Sequence, residues 1–130
     1  MTPSWLLGVS TGCCRHASFE SVVASLAEGG VRFVEIGTPP EHIDWRDPGE
    51  PARVARALAG AGLTPLSVHA PFGAALDLAD PREHHRAAGI AGAAAAANLI
   101  AHAPVAVVVA HPSDLPRHGL DVAARLRDAL

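Results

Sequence analysis

Four short runs with the composition of buried strands alternate with four runs of helical period, and this alternation limits the accessible folds more than any other feature. The strand-like runs are "WLLGVS" (5–10), "VRFVEIG" (31–37), "LTPLSV" (63–68) and "VAVVVA" (105–110). Between the first two lies "SFESVVASLAEGG", with Phe19, Val22, Val23 and Leu26 at helical spacing, Ser18 placed to cap its start and Gly29-Gly30 to end it. "PARVARALAGAG" begins with Pro51 at a first helical position and closes on glycines. The third helix is expected in "DPREHHRAAGIAGAAAAANLIAHA", with Asp80 as N-cap, Pro81 at N1 and Glu83 completing a capping box. Gly89, Gly92 and the alanine run would let that helix approach a sheet closely. The fourth, "GLDVAARLRDAL", carries Val122, Leu126 and Leu130 on one face. The loop "TPPEHIDWRDPGE" is too rich in proline and glycine for regular structure. Pro65 is tolerable near the start of its strand, where fewer ladder donors are needed.

Near-continuous apolar strands alternating with helices predict an α/β fold with a parallel sheet covered by helices. An open doubly wound sheet and a (βα) barrel both satisfy the pattern. The first strand is followed by "STGCCRH" and not by the GxGxxG of a dinucleotide-binding turn, which favours the barrel. A complete TIM barrel takes about 250 residues and eight units. The 130 residues hold about four units, so residues 1–130 are read as one partial domain, an N-terminal half-barrel truncated before its fifth strand.

Composition narrows the function classes. All ten basic residues are arginine and lysine is absent, which excludes Schiff-base chemistry on a lysine amine within these residues. The net charge of −3, with no basic block, lacks the electrostatic footprint of a nucleic-acid binder. There is no apolar run of membrane-spanning length, and "MTPSWLLGVS" has no basic n-region. A cytoplasmic protein with no membrane partner is the expectation. Cys13 and Cys14 are adjacent, a spacing that suits neither a mutual disulfide nor a zinc knuckle, and are read as two reduced thiols in a loop.

Three strands end on ionisable residues, Glu35, His69 and His111, and in a barrel of parallel strands the reactive groups sit at those ends. Strand alternation puts Glu35 on a face with Val31 and Phe33, His69 with Ser67, and His111 with Val105, Val107 and Val109. Adjacent strands lie about 4.8 Å apart. Two nitrogens sharing a tetrahedral metal lie about 3.4 Å apart. His69 and His111, ending neighbouring strands, are therefore candidate metal ligands, although a single strand-end histidine more often serves structurally. Glu35 is the candidate catalytic carboxylate; an arginine partner such as Arg32 or Arg15 would instead make it structural. Trp45 and His42 lie in the long loop on the same end. Trp45 could stack on a sugar face or pack the loop, and His16 is similarly placed. His84 and His85 are read as solvated.

The segments "LGVST", "FVEIG", "LSVHAPFGAALDLADPREHHR" and "VVVAHPSD" resemble the first half of the xylose isomerase-like TIM-barrel superfamily, over about residues 6–128. "HAP…LDLADP" and "HPSD" are the most specific parts. The resemblance implies a divalent-metal-dependent sugar or sugar-phosphate isomerase or epimerase that abstracts a proton next to a carbonyl and stabilises the enediolate with its metal (Mn, Mg, Co or Zn). In that branch the histidine ending strand three contacts substrate and most metal ligands come from later strands, so the metal site of this stretch is incomplete. In the endonuclease IV branch the equivalents of His69 and His111 bind zinc, which implies a phosphodiesterase as the alternative. The implied substrate-binding residues are His69, Trp45 and His16, the metal ligands His69 and His111, and the partner a small sugar or polyol. A third reading is an inactive half-barrel that self-associates, since it would expose two sheet edges and an apolar interior.

Overall fold

The structure, a computed structural model, describes residues 6–105 and 107–113, together with Arg127. Four strands, β1 (Gly8–Ser10), β2 (Phe33–Ile36), β3 (Thr64–His69) and β4 (Val107–Val109), alternate with three helices, α1 (Phe19–Glu28), α2 (Glu50–Ala61) and α3 (Glu83–Asn98). Short 3-10 turns follow β1 (Thr11–Cys13) and α3 (Leu99–Ala101). The helix expected over 119–130 lies outside the described residues, Arg127 apart. The strands form one parallel sheet in the order β1-β2-β3-β4. A doubly wound sheet reverses its order at a switch point; this one runs sequentially, as barrel winding requires, and remains open.

The helical starts follow their chemistry only in part. Ser18 caps α1 as expected, its Oγ accepting from the Ser21 amide at 3.3 Å. Helix α2 begins one residue earlier than expected, at Glu50, with Pro51 in its first turn. At α3 the expectation fails. The N-cap is Arg82, whose side chain makes no capping bond. Asp80 is instead fully buried, accepting from the Arg82 guanidinium at 2.8 Å and from His85 Nδ1 at 3.1 Å. Its Oδ1 also accepts from the Arg82 amide at 2.8 Å, and the guanidinium bond is the stronger because it is charge-assisted. His85, expected in solvent, is consequently half-buried, while His84 is exposed.

One face of the sheet is covered. Val34, Ile36 and Val68 are fully buried against Phe19 and Val23 of α1, Val54 and Leu58 of α2, and Ala96 and Leu99 after them. Each such side chain contributes about 1.5–3 kcal/mol through burial. The opposite face carries Phe33, Glu35, Ser67, His69, Val107 and Val109, none of them buried, with Val107 51% exposed. The pairing of β2 with β3 is irregular: Val34 partners Pro65, Glu35 partners Ser67, and Leu66 between them is skipped. Pro65 has no amide to donate, so a bulge beside it loses little ladder bonding.

Arg53 ties the helical layer together. Its guanidinium pairs with Glu50 at 2.6 Å and with Glu20, donates to the His42 carbonyl at 2.6 Å, and lies 5.6 Å over the Phe19 ring. The bond to Glu50 and, secondarily, that to Glu20 hold its pKa above the usual guanidinium range.

The glycines of α3 do make a close approach, but to the loop after β3. A Cβ on Gly89 would stand 2.3 Å from the Leu76 carbonyl oxygen, and one on Gly92 would stand 2.9 Å from Pro71 Cγ. Gly89→Ala is therefore expected to destabilise the protein by about 1–3 kcal/mol through overpacking. Gly60→Ala, inside α2 where a Cβ meets nothing within 4 Å, should instead stabilise by about 0.5–1 kcal/mol. Urea denaturation of the two variants decides the point: shifts of the same sign would remove the packing explanation.

Candidate functional site

The loops that leave β1, β2 and β3 surround a cleft of about 840 Å³ at the C-terminal end of the sheet, lined among others by Arg15, Thr38, Trp45, His69, Phe72 and Leu76. Backbone contact holds the first two loops together. Thr11, fully buried, accepts from the Gly37 amide at 2.9 Å. A Cβ on Gly37 would lie 2.6 Å from the Gly12 nitrogen, so only glycine lets the chain pass there. Thr38 then donates to the His69 carbonyl at 2.6 Å, joining the second loop to the end of β3.

His69 is the last residue of β3. Its Nδ1 lies 2.9 Å from the Ala70 carbonyl, an oxygen that can only accept. Nδ1 must therefore carry the proton in the neutral ring, which leaves the Nε2 lone pair available as acceptor or ligand. The His111 ring lies 5.0 Å from that of His69, centroid to centroid. Phe72 sits 5.1 Å from His69 and stacks on His111 at 4.4 Å with planes 12° apart. His69, at the end of β3, and His111, two residues beyond β4 and not at its end as expected, thus converge. With Phe72, which is 55% exposed, they form a three-ring cluster of which His69 and Phe72 line the cleft.

Two buried carboxylates seat the segments that bear those rings. Asp77 accepts from the Ala79 amide at 2.8 Å and from Ser113 at 3.0 Å. The second bond clips the turn after His111 to the loop that follows His69 and Phe72. Asp80 anchors the far end of that loop, and the Arg82 guanidinium holds its carboxyl well below the usual carboxylate range. Neither aspartate was singled out for this role from sequence. Their spacing in "LDLADP" was visible, but their partners 36 residues away and across the next turn were not.

The remaining candidates are placed unevenly. Glu35 is half-buried on the open face and accepts from Ser67 at 3.2 Å; it does not line the cleft. Neither Arg32 nor Arg15 forms an ion pair with it among the described residues. Trp45 lines the cleft and also packs against the core, with the Arg46 guanidinium 4.9 Å over its ring. His16 is exposed and outside the cleft lining. His42 is buried, donating from Nε2 to the Cys14 carbonyl at 2.9 Å, while its Nδ1 has no hydrogen-bond partner among the described residues. Among the described residues, no group of three His, Cys, Asp or Glu side chains could hold a metal ion. No helix among them is long and apolar enough to cross a membrane.

No family model and no curated protein matches the sequence. Among solved structures, the chain is similar in fold to D-psicose 3-epimerase crystallised in the presence of D-fructose, with a TM-score of 0.68 and 17% sequence identity. The match covers 94% of this chain and 45% of that one, so the chain spans less than half the length of that neighbour. The neighbour is a TIM-barrel enzyme, and the open four-stranded sheet corresponds to half of such a barrel.

Asp80→Asn tests the seating of the loop after β3. Because the folded carboxyl titrates below its unfolded value, its stabilisation is present above about pH 3.9 and is lost as pH falls from there toward the folded pKa. The variant should be less stable than the parent at pH 7, and the gap should narrow below about pH 4. Urea midpoints at pH 7, 5 and 3 measure it; a gap constant across that range would remove the carboxylate's charge from the explanation.

Proposed function

We propose that these 130 residues are the first four βα units of a barrel that isomerises or epimerises a small sugar or sugar phosphate with the help of a divalent metal. The observation that carries the reading is the meeting of His69, which lines the cleft, with His111, 5.0 Å between ring centroids, in a chain whose fold matches an epimerase over 94% of its length. The donor chemistry suits a divalent ion in part. His69 is oriented through its Nδ1 bond to the Ala70 carbonyl, with Nε2 as the ring nitrogen left to bind, and His111 supplies a second imidazole. Two nitrogens fall short of a complete coordination shell, so further ligands come from outside the described residues. When bound, the ion supplies Lewis-acid polarisation of substrate oxygens.

The chain's own residues have separable tasks. Phe72 and Trp45 offer apolar ring surface to the carbon face of a sugar. His69 accepts a substrate hydroxyl or joins His111 in holding the metal. Arg15 brings a permanent positive charge to the cleft, suited to a phosphate. Glu35 acts as a positioning residue: through Ser67 it steadies the strand two residues before His69.

Proton removal next to a carbonyl leaves a label. Incubated with a ketohexose such as D-fructose in deuterated water with added Mn²⁺, the protein with its complete barrel should exchange hydrogen at the carbon beside the carbonyl, read by NMR. His69→Ala and His111→Ala should each weaken Mn²⁺ binding by more than about tenfold, since even the groups that orient ligands are worth that much. Absent exchange together with unaltered metal affinity in both variants would return the two histidines to packing.

A second reading is favoured by exposed apolar surface on and around the sheet: Val107 on its open face is 51% exposed, Leu6 and Leu7 before β1 are 62% and 85% exposed, and Phe72 after β3 is 55% exposed. Apolar surface of this kind, beside unpaired strand edges, associates. The 130-residue chain by itself should sediment as dimers or larger species, with a fraction that grows with concentration. A monomer at all concentrations tested by analytical ultracentrifugation would count against it.

A further inference from the structure

Cys13 and Cys14 are the only cysteines in the chain. Both are exposed, and their sulfurs lie 3.6 Å apart. The backbone beneath them is held from both sides. Thr11 and Gly12 are locked against Gly37, as above, and the Cys14 carbonyl accepts from the buried His42. The thiols are thus presented as a pair on a seated turn, beside Gly12 and Arg15 of the cleft rim.

Three chemistries use two neighbouring thiols, and the geometry separates them. A disulfide requires the sulfurs to close to about 2.05 Å, which strains the peptide between adjacent cysteines. A protein zinc site needs three or four ligands, and no third ligand joins this pair among the described residues. A single soft atom bonded to both sulfurs at about 2.3 Å, the length of a zinc–thiolate bond, with an angle near 100° would hold them about 3.5 Å apart. That separation matches the one present. Partial desolvation and the neighbouring Cys14 thiol push the Cys13 thiol up from its ordinary value.

We propose that Cys13 and Cys14 form a dithiol site for monosubstituted trivalent arsenicals, R–As(OH)₂. Two S–H bonds and two As–O bonds break, two As–S bonds form, and the thiol protons leave with the hydroxyls as two waters. Arsenic stays trivalent throughout, so no oxidant or reductant enters. The organic group fills the third pyramidal position, so no third protein ligand is needed. The site rests on no part of the isomerase reading.

The probe is phenylarsonous acid, one equivalent per chain, with intact-mass spectrometry as the readout. One adduct per wild-type chain is expected, retained in excess glutathione and removed by 2,3-dimercaptopropanol. Cys13→Ser and Cys14→Ser should each shed it to glutathione about 100-fold or more faster, because the second thiol's contribution is an effective-concentration gain of that order. Loss of the wild-type adduct to glutathione as readily as from either variant would overturn the proposal. So would equal retention by a single-cysteine variant.

Discussion

All four strands run in the same direction, and the rest of the molecule depends on that. Parallel pairing demands a crossover between each strand and the next, and with the strands in sequential order right-handed crossovers place successive helices on one side of the sheet. The apolar side chains of α1, α2 and α3 therefore converge on Val34, Ile36 and Val68, while every strand delivers its last residue to the same end. Ser10, Glu35, Ser67 and Val107 fall in one register row across the sheet. The cleft, the histidine pair and the thiol pair all lie at that C-terminal end because there is nowhere else for the connecting loops to begin.

What holds that end in shape differs from what holds the core. The core is hydrophobic burial, non-directional and tolerant of repacking. The rim is built from side chain to backbone bonds and close backbone contacts: Thr11 to Gly37, Thr38 to the His69 carbonyl, Asp77 to the Ala79 amide. Such bonds are directional and lose their stabilisation over fractions of an ångström. They suit a task the core cannot perform, which is to hold loops with little apolar surface at defined heights above the sheet. The glycines at 37, 89 and 92 serve the same end, since each removes a Cβ where two backbones or a proline ring would otherwise collide.

The open face is the complement of the covered one. In a closed barrel the residues on that face would fill an interior; here they stand beside water or another surface. Two imidazoles meet, Glu35 one strand away accepts from Ser67, and no group of three His, Cys, Asp or Glu side chains among the described residues could hold a metal ion. The open half of a barrel thus accounts for the exposed sheet face.

Much of this was written in the sequence by itself, and what was written there was local. Period and composition are properties of a few consecutive residues, so the βα alternation, the Ser18 cap and the end of β3 at His69 could be read directly, whereas β2 runs one residue past Glu35 and β4 stops two residues before His111. Where a residue had a stronger partner elsewhere, the local reading failed. Asp80 left the helix start for Arg82 and His85, and Gly89 and Gly92 met the loop after β3, not the sheet. The tertiary structure bears out the barrel winding that the missing GxGxxG turn favoured, its strands following one another in sequence order. It also decided the pairing of Asp77 with Ser113 and the approach of His111 to Phe72. Such contacts join segments tens of residues apart, and their geometry is set by the packing of everything between them.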